Sequence, residues 1–431
     1  MRNWIKYLLL LLFIVYSRPS FDQLNENNYS LNTNLVVSLN QTLTNSLSDY
    51  GNYEVIDKEI NHFMDKNELK GVSVSIIHNE KLIFSKGYGY ANQEDSVIAK
   101  PGNIYRVASV SKLLTAVAIM KLVEQKKLKL TTKVFGPRGI INEKKYEIVD
   151  PRLCDITVLD LLNHSGGWTQ NYGDPMFNPT IIAKLVGDSL PATVDTYTKF
   201  VFSRRLHFTP GTMHSYSNMG YMFLGEVIRK VSGMPYEDYV RKQILSPMGI
   251  YDMHLAQNLY EYRYPNEVKY YVYTGDSLIH SFSDDSTLVP KVYGGNDIRL
   301  LGAAGGWVAS APELAKLLVS IDGNNTIEDF LSHKSIEDMT GRQGRFLGWK
   351  QEYQNGWLRT GTFAGTSAVL YRGSDGYEWV FLCNTSSWKG AKFSNDIFRL
   401  MKKVTQKIVC IPEKDLFHYH DKEVAGLNLP L

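Results

Sequence analysis

Apolar and small polar residues alternate along Val72-Ser73-Val74-Ser75-Ile76-Ile77, the period of a half-buried strand. Asn79-Glu80 supplies a turn, and Leu82-Ile83-Phe84 with Gly87-Tyr88-Gly89-Tyr90 returns as a second strand, so the segment predicts a hairpin. The period then changes. From Ser109 to Gln125, Leu113, Leu114, Val117, Ala118, Met120, Leu122 and Val123 give a broad apolar helical face. Further helices are predicted at 157–163, 219–231, 236–245 and 311–320. Near the end, Ser367-Ala368-Val369-Leu370-Tyr371 and Trp379-Val380-Phe381-Leu382 read as adjacent strands split by the turn Gly373-Ser374-Asp375-Gly376. Strands at both ends with helices between predict a mixed α/β (α+β) fold. Its antiparallel sheet is assembled from N- and C-terminal segments, flanked by helices and closed over a helical insert domain.

The first residues follow a different rule. Arg2 and Lys6 precede an apolar run from Tyr7 to Tyr16, and Ser17-Arg18-Pro19 breaks it. The run is shorter than the roughly 20 residues a membrane span needs, so residues 1–19 are expected to be a signal peptide or an uncleaved signal anchor. A secreted or extracytoplasmic protein follows, with membrane attachment through residues 1–19 where the segment is retained. Residues 20–50, rich in Asn, Ser and Thr, are expected to form a mobile polar spacer. The body is then placed at 51–410 and a C-terminal tail at 411–431.

Composition narrows the chemistry. With 44% hydrophobic and 21% charged residues the chain can build a sizeable core. Its net charge of +3 contains no long Lys/Arg block, which speaks against nucleic acid as a partner. Cys154, Cys383 and Cys410 are odd in number and lack the spacing of a zinc site, so they are expected as buried core thiols.

Ala108-Ser109-Val110-Ser111-Lys112 opens the long helix. Residues three apart share a helix face, so the Lys112 amine can reach the Ser109 hydroxyl. A serine is a poor nucleophile until a neighbouring base takes its proton, and a lysine whose pKa is lowered by burial or a nearby cation can be that base. Taken singly, a capping serine and an exposed lysine explain the spacing as well. Tyr216-Ser217-Asn218 stands on a loop ahead of a predicted helix and can place a phenol and a carboxamide together; a helix cap with a packed tyrosine is its bland explanation. Arg359-Thr360-Gly361-Thr362 sets a cation beside a glycine, where a substrate carboxylate can dock and backbone can approach closely. Glu261-Tyr262-Arg263-Tyr264 and Lys269-Tyr270-Tyr271-Val272-Tyr273 suit either a cleft wall or ordinary packing.

In this order the three motifs resemble the β-lactamase-related serine hydrolases, the branch of class C β-lactamases, D,D-peptidases and penicillin-binding proteins. The resemblance covers roughly residues 55–400 and extends to Tyr105-Arg106-Val107, Thr157-Val158-Leu159-Asp160-Leu161-Leu162-Asn163-His164-Ser165-Gly166-Gly167, Phe208-Thr209-Pro210-Gly211 and Ala304-Gly305-Gly306-Trp307. It implies the β-lactamase/transpeptidase fold and acylation of Ser109. Lys112 and Tyr216 would manage the proton, and Asn218 would orient Lys112 and substrate. The backbone N–H groups of Ser109 and Thr362 would form an oxyanion hole, with Arg359, Thr360 and Gly361 holding the substrate. His164 is read as a packed, hydrogen-bonded residue. No metal or organic cofactor is required, and the partner is a small-molecule or peptide substrate. The family usually carries Lys or His where Arg359 stands. Arginine keeps the charge but cannot yield a proton, so a peptidase or esterase is expected before an efficient β-lactamase. A catalytically inactive relative used for binding or assembly is the alternative.

Overall fold

Gly71–His78 (β1) and Lys81–Asn92 (β2) form the predicted hairpin. Its turn residues Asn79 and Glu80 both take positive φ, 47° and 60°, the geometry that matches the twist of paired strands. The computed structural model describes residues 38–50, 53–273, 277–324, 326–341 and 346–419. Val97–Ile98 (β3), Gln351–Glu352 (β4), Gly356–Phe363 (β5), Thr366–Gly373 (β6) and Tyr377–Cys383 (β7) complete a seven-stranded antiparallel sheet of order β3-β2-β1-β7-β6-β5-β4. β1 lies against β7 from Val72 opposite Cys383 to His78 opposite Tyr377. The N- and C-terminal segments therefore meet at the centre of the sheet, as the pattern predicts.

Six helices frame the sheet and the site: Glu54–Asn67 (α1), Ser111–Glu124 (α2), Asn218–Ser232 (α3), Ile298–Gly305 (α4), Ala311–Val319 (α5) and Phe393–Gln406 (α6). Ile56, Ile60 and Met64 of α1 join Phe393, Ile397, Met401 and Val404 of α6 on one face, over Val72, Val74 and Ile76. On the other face Leu370, Val380 and Leu382 pack into the core built on α2 and α5. The half-buried expectation for β1 is thus corrected. Ser73 and Ser75 are as buried as Val74 between them, because helices cover both faces of the sheet. Ser75 and Ser85 satisfy each other across the hairpin at 3.0 Å.

The helices at 157–163, 219–231 and 311–320 fall at Val158–Leu162, α3 and α5. The first carries a capping box between Thr157 and Asp160. That at 236–245 runs as Tyr236–Tyr239 and continues as a wider π-helical turn over Val240–Leu245. Two departures concern α2. It starts at Ser111, because Ala108–Val110 tighten into a 3₁₀ turn, and it is buried nearly all round from Ser111 to Met120 instead of on one broad face. Sequence periodicity missed α1, α4 and α6 altogether, although Ile56, Ile60 and Met64 of α1 stand four residues apart.

The spacer boundary is also corrected. Residues 1–37 lie outside the described residues, but 38–50 belong to the body. Among the described residues the outer edge of β2 has a strand partner only at Tyr90 and Asn92, and this polar segment takes that place along the rest. Asn45 accepts from the Gly87 N–H and donates to the Ala99 carbonyl, while the buried Ser48 hydroxyl both accepts from Ser85 N–H and donates to Ser85 carbonyl at 2.9 Å. The expected tail likewise begins inside the body. Asp415 accepts from the Leu82 N–H and Leu416 is buried, with 420–431 outside the described residues. Of the cysteines only Cys383 is buried; Cys154 is half-buried and Cys410 exposed, and all three are free. Among the described residues no helix is long and apolar enough to cross a membrane, and the run at 7–16 lies outside them.

Ser48→Ala leaves two buried backbone groups of β2 without partners. Chemical denaturation should show a loss of about 1–3 kcal/mol; unchanged stability would return residues 38–48 to the role of a spacer.

Candidate active site

The turn that carries Ser109 is held from four directions. Val107 N–H donates to the Trp307 carbonyl at 3.0 Å, and the Ser111 hydroxyl links the Ala108 carbonyl (2.7 Å) to the Trp307 N–H (3.1 Å). Thr366 donates to the Arg106 carbonyl, and Arg359 Nε donates to the Ser109 carbonyl at 2.8 Å. Ala108 accepts a positive φ of 46°, a conformation that costs a residue with a Cβ about 1–2 kcal/mol. The reward is position. Ala108 and Val110 are buried while Ser109 between them is half-buried and lines a cavity of about 880 Å³.

Lys112, one turn along, is completely buried. Its Nζ donates to Asn218 Oδ1 at 2.6 Å and to the Ala304 carbonyl at 2.6 Å, and lies 3.4 Å from Ser109 Oγ. It also sits over the rings of Tyr216 and Tyr221, at 4.7 and 5.3 Å. Burial, then the nearby Arg359 charge, outweigh the opposing pull of Tyr216 and Asp174 and bring the Lys112 amine down to about 8.

The middle motif satisfies both of its sequence explanations. Ser217 caps α3 by accepting from the Gly220 N–H, and Tyr216 and Asn218 on either side of it turn toward Lys112. Tyr216 Oη and Ser109 Oγ share a hydrogen bond of 2.6 Å, shorter than the Lys112 contact. Burial alone would raise the Tyr216 phenol. The charges of Lys112 and Arg359, with hydrogen bonds from Lys112 and Ser109, outweigh it and leave the phenol below its ordinary value. His164 is packed as expected: its Nδ1 accepts from the Ser217 N–H at 3.2 Å, and burial, with Lys112, Arg359 and His214 nearby, pushes its pKa well down and keeps it neutral.

The third motif closes the site on β5. Arg359 is 2% exposed, and Thr360 and Thr362 line the cavity with it. Gly361 is required sterically, since a Cβ there would stand 2.1 Å from the Val107 carbonyl oxygen. All eight sequence-derived residues, Ser109, Lys112, Tyr216, Asn218, Arg359, Thr360, Gly361 and Thr362, thus gather at one place. Two others were missed. Asp174 accepts from Asn218 Nδ2 at 2.8 Å and from its N–H at 3.4 Å, which fixes the amide so that its oxygen faces Lys112. Lys350, exposed and lining the cavity, continues the backbone ladder through its N–H to the Leu358 carbonyl. Neither belongs to a local motif, and only their proximity in space marks them. The tyrosine-rich stretches do not line the cavity: Tyr270, for one, is buried and bonds Glu267 and the Arg106 N–H. Among the described residues no group of three or more His, Cys, Asp or Glu side chains is arranged to hold a metal ion.

Gly361→Ala must drive β5 away from the Ser109 turn. A loss of about 1–3 kcal/mol in unfolding free energy is expected from overpacking; a variant as stable as the parent would contradict the close approach.

Known proteins share this fold. The beta-lactamase family profile matches residues 56–400. Among curated proteins the chain is similar to Protein flp of Staphylococcus aureus strain N315, 29% identical over 195 residues, which is 45% of this chain and 36% of that protein. It is similar also to a putative D-alanyl-D-alanine carboxypeptidase of Escherichia coli O157:H7, 29% identical over 192 residues and 42% of each chain. These matches span less than half the length of either relative. Among solved structures, the octameric penicillin-binding protein homologue of Pyrococcus abyssi is 25% identical with a TM-score of 0.60, over 86% of this chain and 81% of that one. D-amino acid amidase of Ochrobactrum anthropi SV3 shares the fold at 19% identity, with a TM-score of 0.62 over 82% and 98% of the two chains. With the family profile spanning most of its length and the fold shared along more than four-fifths of it, this chain belongs to the beta-lactamase family.

Proposed function

We propose that the protein is a serine hydrolase working through an acyl-enzyme on Ser109. One observation carries the reading: a single hydroxyl, at a cavity, lies 2.6 Å from a phenol that is itself backed by a wholly buried lysine drawn down to about 8. Ser109 Oγ attacks the substrate carbonyl carbon and passes its proton to Tyr216, which hands its own phenol proton to the uncharged Lys112 amine. The intermediate collapses with cleavage of the C–O or C–N bond, and the proton returns to the leaving group. Water then repeats the sequence on the acyl ester and frees Ser109. Sequence reasoning gave the proton from Ser109 to Lys112. The shorter Tyr216 contact favours Tyr216 as the group that takes the Ser109 proton, with the Lys112 amine behind it as final acceptor and Asn218 and Asp174 orienting that amine.

The N–H groups of Ser109 and Thr362 are proposed as the oxyanion donors; loss of one such donor typically costs about 3 kcal/mol of transition-state stabilisation. Arg359 takes a second part beside the one expected. Its Nε donates to the Ser109 carbonyl, which sets the Ser109 turn, and its charge lowers Lys112. Its Nη2 has no hydrogen-bond partner within the described residues, so Arg359 and Lys350, which both line the cavity, are the cations a substrate carboxylate would meet. An amide or peptide substrate agrees with the names of the relatives, a putative D-alanyl-D-alanine carboxypeptidase and a D-amino acid amidase. An exported protein, attached or released according to residues 1–19, agrees with a substrate of that kind.

Intact-mass spectrometry after exposure to a fluorophosphonate should give one adduct that Ser109→Ala removes. Tyr216→Phe is expected to slow the labelling by about 10²–10⁴-fold. A folded parent protein that takes no label would overturn the reading.

The labelling rate should rise with pH through about 8, where the Lys112–Tyr216 pair gives up its proton. Asp174 raises the Lys112 pKa and Arg359 lowers it. Asp174→Asn should therefore move this limb to lower pH and Arg359→Gln to higher pH. Stopped-flow labelling across pH 6–10 checks both signs, and shifts in the same direction would contradict the electrostatic assignment.

A further inference from the structure

Two phenyl rings from separate parts of the fold meet at the cavity. Phe177 ends the turn Pro175–Phe177 of the helical insert, and Phe363 ends β5 one residue beyond Thr362. Their centroids lie 5.9 Å apart with the planes inclined at 47°, and both rings line the cavity that holds Ser109. Phe177 remains 43% exposed, and Met213, which also lines the cavity, 58% exposed.

Phe177 is held in this position by its own turn. Asp174 Oδ1 accepts the Met176 N–H at 2.9 Å, the Met176 side chain is buried, and the Pro175 carbonyl accepts from Tyr197 Oη at 3.0 Å. The same Asp174 holds Asn218 through its other oxygen. A turn pinned at these points, and tied through Asp174 to the residue that orients Lys112, keeps a phenyl ring half in solvent at the cavity that holds the nucleophile. Leu301 and Trp349 extend the apolar surface along the cavity. Apolar groups left exposed singly are ordinary, but a concave cluster of them beside convergent polar groups is the mark of a ligand subsite.

We propose that Phe177 and Phe363 wall an apolar subsite, and that the substrate carries a bulky apolar group, the size of a phenyl ring, beside its scissile carbonyl. The proposal rests on the serine-hydrolase reading and adds the substrate class to it. An aromatic group seated there meets one ring edge-on or offset against the other, the arrangements aromatic pairs prefer. Discrimination follows from area: each methylene that an apolar pocket covers typically changes kcat/KM by about 10-fold or more.

The test compares methyl 3-phenylpropanoate and benzyl acetate with methyl acetate, followed by pH-stat, in the parent protein, Phe177→Leu and Phe177→Ala. At least one aromatic ester is expected to exceed methyl acetate in kcat/KM by about 10-fold or more. That ratio should fall in Phe177→Leu and collapse toward one in Phe177→Ala, with all three proteins melting at similar temperatures. In parallel, 3-phenylpropanamide and acetamide are titrated by NMR against the Ser109→Ala protein and its Phe177→Ala derivative. Tighter binding of the aromatic amide that disappears without Phe177 supports the subsite independently of turnover. Equal binding of the two amides would overturn the proposal, as would ester ratios that do not depend on Phe177. Fluorophosphonate labelling of Ser109 reports separately on the hydrolase reading and stands whichever way the subsite falls.

Discussion

An ammonium group sealed in the core without a carboxylate against it is the constraint on which the rest depends. Among the described residues Lys112 has no ion-pair partner; its Nζ is satisfied by one amide oxygen and one backbone carbonyl and shares the remainder with Ser109. Such a group is costly to bury, and three helices must converge to make it tolerable. α2 supplies the lysine, the C-terminal turn of α4 supplies the Ala304 carbonyl, and the N-terminus of α3 supplies Asn218. The negative end of the α4 helix favours the cation, which a carboxylate would neutralise too thoroughly to leave near 8. Burial on every side of α2 therefore serves two purposes, a core for the fold and a dry setting for the amine.

The second cation, Arg359, acts on that amine from across the sheet. Its bond to the Ser109 carbonyl ties β5 to the 3₁₀ turn, and Gly361 lets the two backbones approach. The departure at this position from the more usual Lys or His thus keeps the charge and replaces a proton carrier with a fixed strut. Asp174 counters it through Asn218. Two opposed charges bracket Lys112, and their balance sets its proton affinity more finely than burial alone.

The sheet and the reactive cluster were legible in the sequence for different reasons. Strand alternation at Val72–Ile77 and 367–371 located β1 and β6, and three motifs named the residues around Ser109 but neither Asp174 nor Lys350. What escaped was contact between distant segments. Nothing local distinguishes Ser73 and Ser75 from solvent-facing serines until α5 is laid over them, and nothing local ties Asp174 to Asn218. The Asn-rich segment looked like spacer for a similar reason. Its polar side chains bond the unpaired edge of β2, so polarity there signals pairing with backbone. The helices α1 and α6 were different, since Ile56, Ile60 and Met64 carried a readable period that simple scanning for longer apolar runs passed over.

The central claim is that Lys112 holds its proton far more weakly than an ordinary lysine, and NMR can observe that proton directly. The protein is labelled with ¹³C at the lysine ε-carbons, and the Lys112 resonance is assigned by its absence in Lys112→Met. The account predicts an ε-carbon that titrates near 8. Titration at the ordinary lysine value of about 10.4 would contradict it and remove the electrostatic basis for activating Ser109.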